Sequence, residues 1–244
     1  MYTKKSMIGM LFSVVLMLTL STSAFAEHAI VSISQTNQGS YFSYTDVTMN
    51  SGWNTSNPCR FLNKTTWIGF NGDHPTNTDW LEVGRTHGKI PNASGTVTCG
   101  SDKVISINGN YAAYGKFSSS GVLTYEEWGY AASNSGTHNF QIQRTATNEW
   151  KAYFDFNVIK TFAWAPTSGI TARVGLEVNN SVATMTFPNY TTAHQTQSTS
   201  GVWSNWTSGT RFDASGSYNS RGWYANFGTT ASGGTDYTKV TYTN

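Results

Sequence analysis

Along most of the chain apolar residues alternate with polar ones, and clusters of Gly, Ser, Thr and Asn interrupt the alternation every few residues. A period of two belongs to strands, whose side chains point to opposite faces in turn, and no stretch shows the three-and-four spacing of a helix. The pattern predicts strands over Ala29–Ser34, Tyr41–Met49, Thr65–Phe70, Asp79–His87, Lys103–Ile107, Tyr111–Phe117, Val122–Ala131 and His138–Arg144. Further strands are expected over Glu149–Asn157, Val158–Trp164, Ile170–Asn179, Val182–Phe187, Gly222–Phe227 and Tyr237–Tyr242. Asn108-Gly109-Asn110 has the chemistry of a hairpin turn. Asn50–Pro58 and Gly88–Gly100 read as loops, and the polar stretch Pro188–Gly216 as a long loop over the open face or an edge region. So many short strands, with no linker and no repeat, predict one all-β domain: an antiparallel two-sheet β-sandwich of jelly-roll, concanavalin-like kind.

Two of these strands carry a glutamate on the polar side. In Trp80-Leu81-Glu82-Val83-Gly84, Leu81 and Val83 share the apolar face, and Trp80, Glu82 and Gly84 share the other. In Val174-Gly175-Leu176-Glu177-Val178 the valines and Leu176 face one way, and Gly175 and Glu177 the other. Gly84 is expected to open space above the backbone beside Glu82. Two carboxylates in an aromatic groove can do acid–base work when one is protonated and the other ionised. Glu82 and Glu177 are therefore the candidate catalytic pair, with outward residues of a half-solvated sheet as the plain alternative.

The first residues change the picture of where the chain works. Lys4 and Lys5, the apolar run from Ile8 to Leu20, and Ala24-Phe25-Ala26 have the form of a secretory signal peptide over residues 1–26. The domain is then 27–244, secreted and extracellular. The apolar run is shorter than the roughly 20 residues of a membrane span. The whole chain has 15 Lys and Arg against 13 Asp and Glu. The leader holds two of the lysines and no acid, so the remainder is balanced, which argues against a nucleic-acid or anionic-membrane partner. Aromatics at 14% are too frequent for disorder. Export makes a Cys59–Cys99 disulfide the expectation, closing a loop of about 40 residues and contributing roughly 3–4 kcal/mol.

The order of motifs resembles that of the glutamic peptidases. Trp67-Ile68-Gly69-Phe70-Asn71-Gly72-Asp73, Leu81-Glu82-Val83-Gly84, Tyr125-Glu126-Glu127-Trp128 and Gly175-Leu176-Glu177-Val178 follow the sequence of motifs in the fungal eqolisins and the plant neprosins. By that resemblance Glu82 stands where eqolisins have the catalytic Gln and Glu177 where they have the catalytic Glu, and a Glu–Glu pair is closer to the neprosins. Trp67 would correspond to a groove tryptophan and Glu127 to the Glu of the Glu-Trp strand. Trp80 and Trp128 would complete the substrate-binding lining. The resemblance implies a lectin-like β-sandwich and endopeptidase action at acid pH on a polypeptide substrate, with Glu177 as base, Glu82 stabilising the oxyanion, and no metal or cofactor.

Rival readings rest on the same residues. Abundant Trp and Tyr suit an extracellular glycan-binding, lectin-like sandwich. A glycoside hydrolase would share the two-glutamate logic. Asp73-His74 with Asn77 and Asp79 is oxygen-rich enough for Ca²⁺, but reads as a polar turn. The five histidines lack metal-ligand spacing, and neither a Gly-x-Ser-x-Gly elbow nor a phosphate loop is present. The expected form is a monomer.

Overall fold

A computed structural model describes residues 27–45, 61–72, 79–91, 95–99, 102–131, 136–163, 166–178, 189–212, 223–227 and 238–242. Among the described residues there is no helix, and sixteen strands form two antiparallel sheets of eight. The first sheet runs β14 (Thr210–Phe212), β1 (Glu27–Asn37), β11 (Gly169–Val178), β3 (Phe61–Phe70), β4 (Asp79–Pro91), β6 (Asp102–Phe117) and β5 (Val97–Cys99), with β7 (Leu123–Ala131) also paired to β6. The second runs β10 (Asn157–Ala163), β9 (Glu149–Phe154), β8 (Thr137–Ala146), β2 (Gly39–Thr45), β12 (Asn189–Gln197), β16 (Thr238–Tyr242) and β15 (Trp223–Phe227), with β13 (Trp203–Asn205) on β12. The chain is the antiparallel β-sandwich its alternation predicts.

The core lies between the sheets and is built from one side of each strand. Val31, Ile68, Phe70, Leu81, Val83, Ala112, Tyr114, Ala172 and Val174 come from the first sheet. Phe42, Phe140, Ile142, Trp150, Ala152, Phe154 and Phe162 come from the second. Aromatic rings lock the layers together. Phe70 of the first sheet meets Trp150 of the second edge-on at 5.1 Å, and Tyr114 meets Phe162 edge-on at 6.1 Å, both favourable quadrupole arrangements. One polar bridge crosses the core. Thr66 Oγ1 donates to the Arg173 carbonyl at 3.0 Å, so the 2.6 Å bond between the Ser40 and Thr66 hydroxyls has Ser40 as donor.

Two five-residue stretches, Ser118-Ser119-Ser120-Gly121-Val122 and Ser198-Thr199-Ser200-Gly201-Val202, fold the same way. In each, the first serine hydroxyl accepts the valine N–H at 3.2 Å, and the glycine takes a left-handed φ of 78° or 85°. Small side chains that bond their own backbone, and a residue without Cβ where φ is positive, dictate this turn.

The chain departs from its local signals at four places. Asn108-Gly109-Asn110 makes no hairpin, because β4 runs on to Pro91 and pairs with β6 without interruption, placing those residues opposite His87, Thr86 and Arg85. A long ladder outweighs one turn signal. Gly88–Gly100 is not wholly a loop, since β4 runs on to Pro91 and Val97–Cys99 is β5. Within Pro188–Gly216 the described residues carry β12, β13 and β14, and β14 lies at the edge of the first sheet, so the edge region holds there rather than the loop. Glu149–Asn157 is broken by a tight turn at Asp155 and Phe156, both at positive φ (47° and 62°). Neither is a glycine, so no turn dipeptide marks it. Asp155 holds the turn through its carboxylate, which accepts the Asn139 N–H at 2.9 Å and lies 2.7 Å from His138 Nδ1. Val182–Phe187 lies outside the described residues.

Candidate active site

Directly opposite residues in antiparallel strands share a face. Following the pairings across the first sheet gives one continuous row: Ser32, Arg173, Trp67, Glu82, Ala113 and Trp128, on β1, β11, β3, β4, β6 and β7. It lies on the outer face, away from the core, as the alternation around Glu82 predicts: Leu81 and Val83 are core residues and Glu82 is not. This face is nevertheless closed to water over its middle. Glu82 is 3% exposed and Trp67 7%, and Ile30, Thr65, Tyr111 and Ala113 are also buried. The Thr65 hydroxyl donates to the Val83 carbonyl at 2.8 Å and stitches β3 to β4 next to Glu82.

Gly84 does not open a space. A Cβ there would fall 2.0 Å from the Lys64 carbonyl oxygen and 2.6 Å from the Thr65 Cα, so the glycine permits close approach of β3 to β4. The open position is on β6 instead. Gly115 lies opposite Trp80, and a Cβ at Gly115 would strike the Trp80 indole at 2.1 Å. The half-buried Trp80 ring thus lies across the Gly115 backbone, 5.5 Å from Phe117. Its strand start is held by Asp79, whose carboxylate accepts the Phe117 N–H at 2.9 Å.

Glu177 is on the same outer face, but not in the same row. It pairs with His28 on β1 and Asn63 on β3, and Asn63 pairs with Thr86 on β4. Glu82 and Glu177 are therefore four residues apart along the strands, about 13 Å, and two strands apart across them, about 10 Å. The backbone register thus sets the two in different rows of one face. The residue of β11 that shares the row of Glu82 is Arg173. Burial pulls its guanidinium pKa below the usual value. Sequence reasoning passed over Arg173, although the alternation that singled out Gly175 and Glu177 places it on the same face.

Trp128 pairs with Ala113 and joins the row of Glu82, whereas Glu127 pairs with Tyr114 in the core-facing row of Leu81. Glu126, opposite Gly115, has its backbone position on the outer-face rows. Cys99 ends β5 and Cys59 lies outside the described residues, so their bridge stays an expectation. Among the described residues no three His, Cys, Asp or Glu side chains gather as metal ligands, and Asp73, His74 and Asn77 fall outside them.

No family model matches the chain, and no curated protein does. Among solved structures it is similar to scytalido-glutamic peptidase with a peptide-based transition-state analogue, at 12% identity and a TM-score of 0.47, covering 89% of this chain and 98% of that one. It is similar at 11% identity and a TM-score of 0.48 to SCP-B, a member of the eqolisin family of peptidases, in complex with the tripeptide Ala-Ile-His, with the same coverage. It is also similar to sheep galectin-11 in complex with glycerol, at 12% identity and a TM-score of 0.35, covering 62% of this chain and 93% of that one.

Proposed function

We propose that the protein is a secreted endopeptidase of glutamic type whose site is the outer face of the first sheet, centred on Glu82. The observation that carries this reading is the burial of Glu82 within a cross-strand row of Trp67 and Arg173, outside the structural core. Carboxylates are almost never fully buried unless paired, and buried acids in unusual surroundings cluster at functional sites. Arg173 and Glu82 lie one strand to either side of Trp67, about 5 Å away each. A peptide carbonyl admitted between Glu82 and Arg173 would have an acid–base group on one side and a positive charge on the other. Glu82 would move the proton between water and the scissile bond, and Arg173 would stabilise charge developing on the oxygen. Glu177, four residues further along the strands on the same face, would bind the polypeptide away from the bond being broken.

The test is cleavage of an unfolded protein across pH 3 to 8, read by mass spectrometry, with Glu82→Gln, Arg173→Gln and Glu177→Gln alongside. Loss of a general acid–base group costs at least about 100-fold. The expected outcome is loss of that size for Glu82→Gln, a similar loss for Arg173→Gln, and a smaller one for Glu177→Gln. Equal and complete losses for Glu82→Gln and Glu177→Gln would restore the two-glutamate pair. No cleavage by the folded protein at any pH rejects the peptidase reading.

A further inference from the structure

The second sheet has an outer face of different chemistry. Following the pairings gives a row Val158, Tyr153, Gln141, Tyr41, Gln195 and Asn205 across six strands. Beside it runs Thr161, Lys151, Gln143, Gly39, Gln197 and Trp203. Six strands at about 4.8 Å make each row roughly 24 Å long. The ring systems are only partly covered. Tyr41, Tyr153 and Trp203 are half-buried, Val158 is 49% exposed, and Phe156 at the adjoining turn is 67% exposed.

The rings are held in place. Tyr41 is stacked parallel to Phe156 at 6.5 Å and meets Trp203 edge-on at 6.5 Å. Its hydroxyl donates to the Asn139 side-chain oxygen. Trp203 lies over the backbone of Gly39, where a Cβ would strike the indole at 2.7 Å. Amides fill the spaces between the rings. Gln141 Nε2 donates to Gln143 Oε1 at 2.7 Å and Gln195 Nε2 to Asn205 Oδ1 at 2.8 Å. Each amide has two N–H donors and two acceptor lone pairs, so these single bonds fix orientation and leave capacity for a ligand. The charge of Lys151 is met by Glu149 at 3.1 Å, so the two rows are electrically neutral. Partial burial, with the Asp155 charge added at Tyr41, raises both tyrosine phenols above their usual pKa, and both remain neutral donors.

We propose that this face is a second binding site, separate from the Glu82 site, and that it takes a neutral polysaccharide chain lying across the strands. Sugar rings offer flat C–H faces and a rim of uncharged hydroxyls. The first suits fixed aromatic rings, and the second suits amides that donate and accept at once. An anionic polymer would find no cationic row here, and a purely apolar partner would leave the amides unmet.

The test is electrophoresis of the purified protein in native gels containing hydroxyethyl cellulose, laminarin or polygalacturonate. Retardation by a neutral polymer and not by polygalacturonate is expected. Tyr153→Ala and Trp203→Ala should each weaken it roughly tenfold, the loss of about one stacked ring. Gln143→Glu, which keeps the packing and adds a charge, should weaken it as well. Glu82→Gln should bind as the parent does, and Tyr153→Ala should cleave as the parent does, so failure of one site is distinguishable from failure of the other. The proposal is overturned if the folded protein migrates unchanged with both neutral polymers, if only polygalacturonate retards it, or if retardation survives all three substitutions. It is also overturned if sedimentation shows a dimer that Tyr153→Ala dissociates, which would make the face a contact between two copies.

Discussion

On the outer face of the first sheet Trp67, Tyr111 and Ala113 are buried around Glu82, whereas on the outer face of the second Tyr41, Tyr153 and Trp203 stay half open among amides. Both faces arise from the same alternation of strand residues, and both are rich in rings. What differs is the cost of a polar group. Out of water, an acid such as Glu82 must be compensated by its surroundings. In the open face a glutamine costs little and can wait for a ligand. One face therefore suits a single chemical event, and the other suits repeated weak contacts along a chain.

The largest effect expected from sharpening this contrast is on β3, which looks both ways. Lys64, three residues before Trp67, faces the core side and is wholly buried, and its Nζ has no hydrogen-bond partner among the described residues. Burial lowers its pKa from 10.5 to about 7. The unfolded chain holds the proton up to pH 10.5 and the folded chain only up to about 7. Stability therefore falls as pH drops from 10.5 to 7 and is level below. Lys64→Met should stabilise by about 5 kcal/mol at pH 7 and below, with the gain fading towards pH 10.5. Urea denaturation at pH 7 and 10 checks this, and an equal gain at both values would count against the buried amine.

Next in size is the pair of ring deletions that sets the faces against each other. Trp67→Ala should cost about 3–5 kcal/mol, as for a core aromatic. Tyr153→Ala, half exposed on the other face, should cost under about 1.5 kcal/mol and leave a folded protein. Thermal melts of both decide whether the outer face of the first sheet is closed and that of the second open.

Those magnitudes bear on what was legible in the chain. Strand-by-strand alternation marks which side of β4 and β8 enters the core, because burial acts on every second residue and leaves its period in the sequence. Glu82 could be found that way. Its neighbours could not, because which residue of β11 lies opposite Trp67 depends on register, a long-range property. One step of two residues separates Arg173 from Gly175, and two steps separate it from Glu177, yet all three satisfy the same alternation. The long ladder that absorbs Asn108-Gly109-Asn110 and the pairing that makes strands within residues 189–212 are likewise tertiary. Local residues there carry the opposite signal.

The smallest expected effect is the sharpest test of the open face. Phe156 occupies a left-handed φ of 62°, a conformation that costs an ordinary residue about 1–2 kcal/mol and glycine almost nothing. Its ring is mostly in solvent, so little burial offsets that cost. Phe156→Gly should therefore change stability by less than about 1 kcal/mol, in the stabilising direction, since relief of the turn opposes the loss of one stacked contact with Tyr41. Retardation in neutral-polysaccharide gels should fall at the same time. Stability that rises as binding falls would show that the strained turn is kept for the surface it builds. A variant that melts lower and binds as before would show that the ring serves the fold, and would remove Phe156 from the binding face.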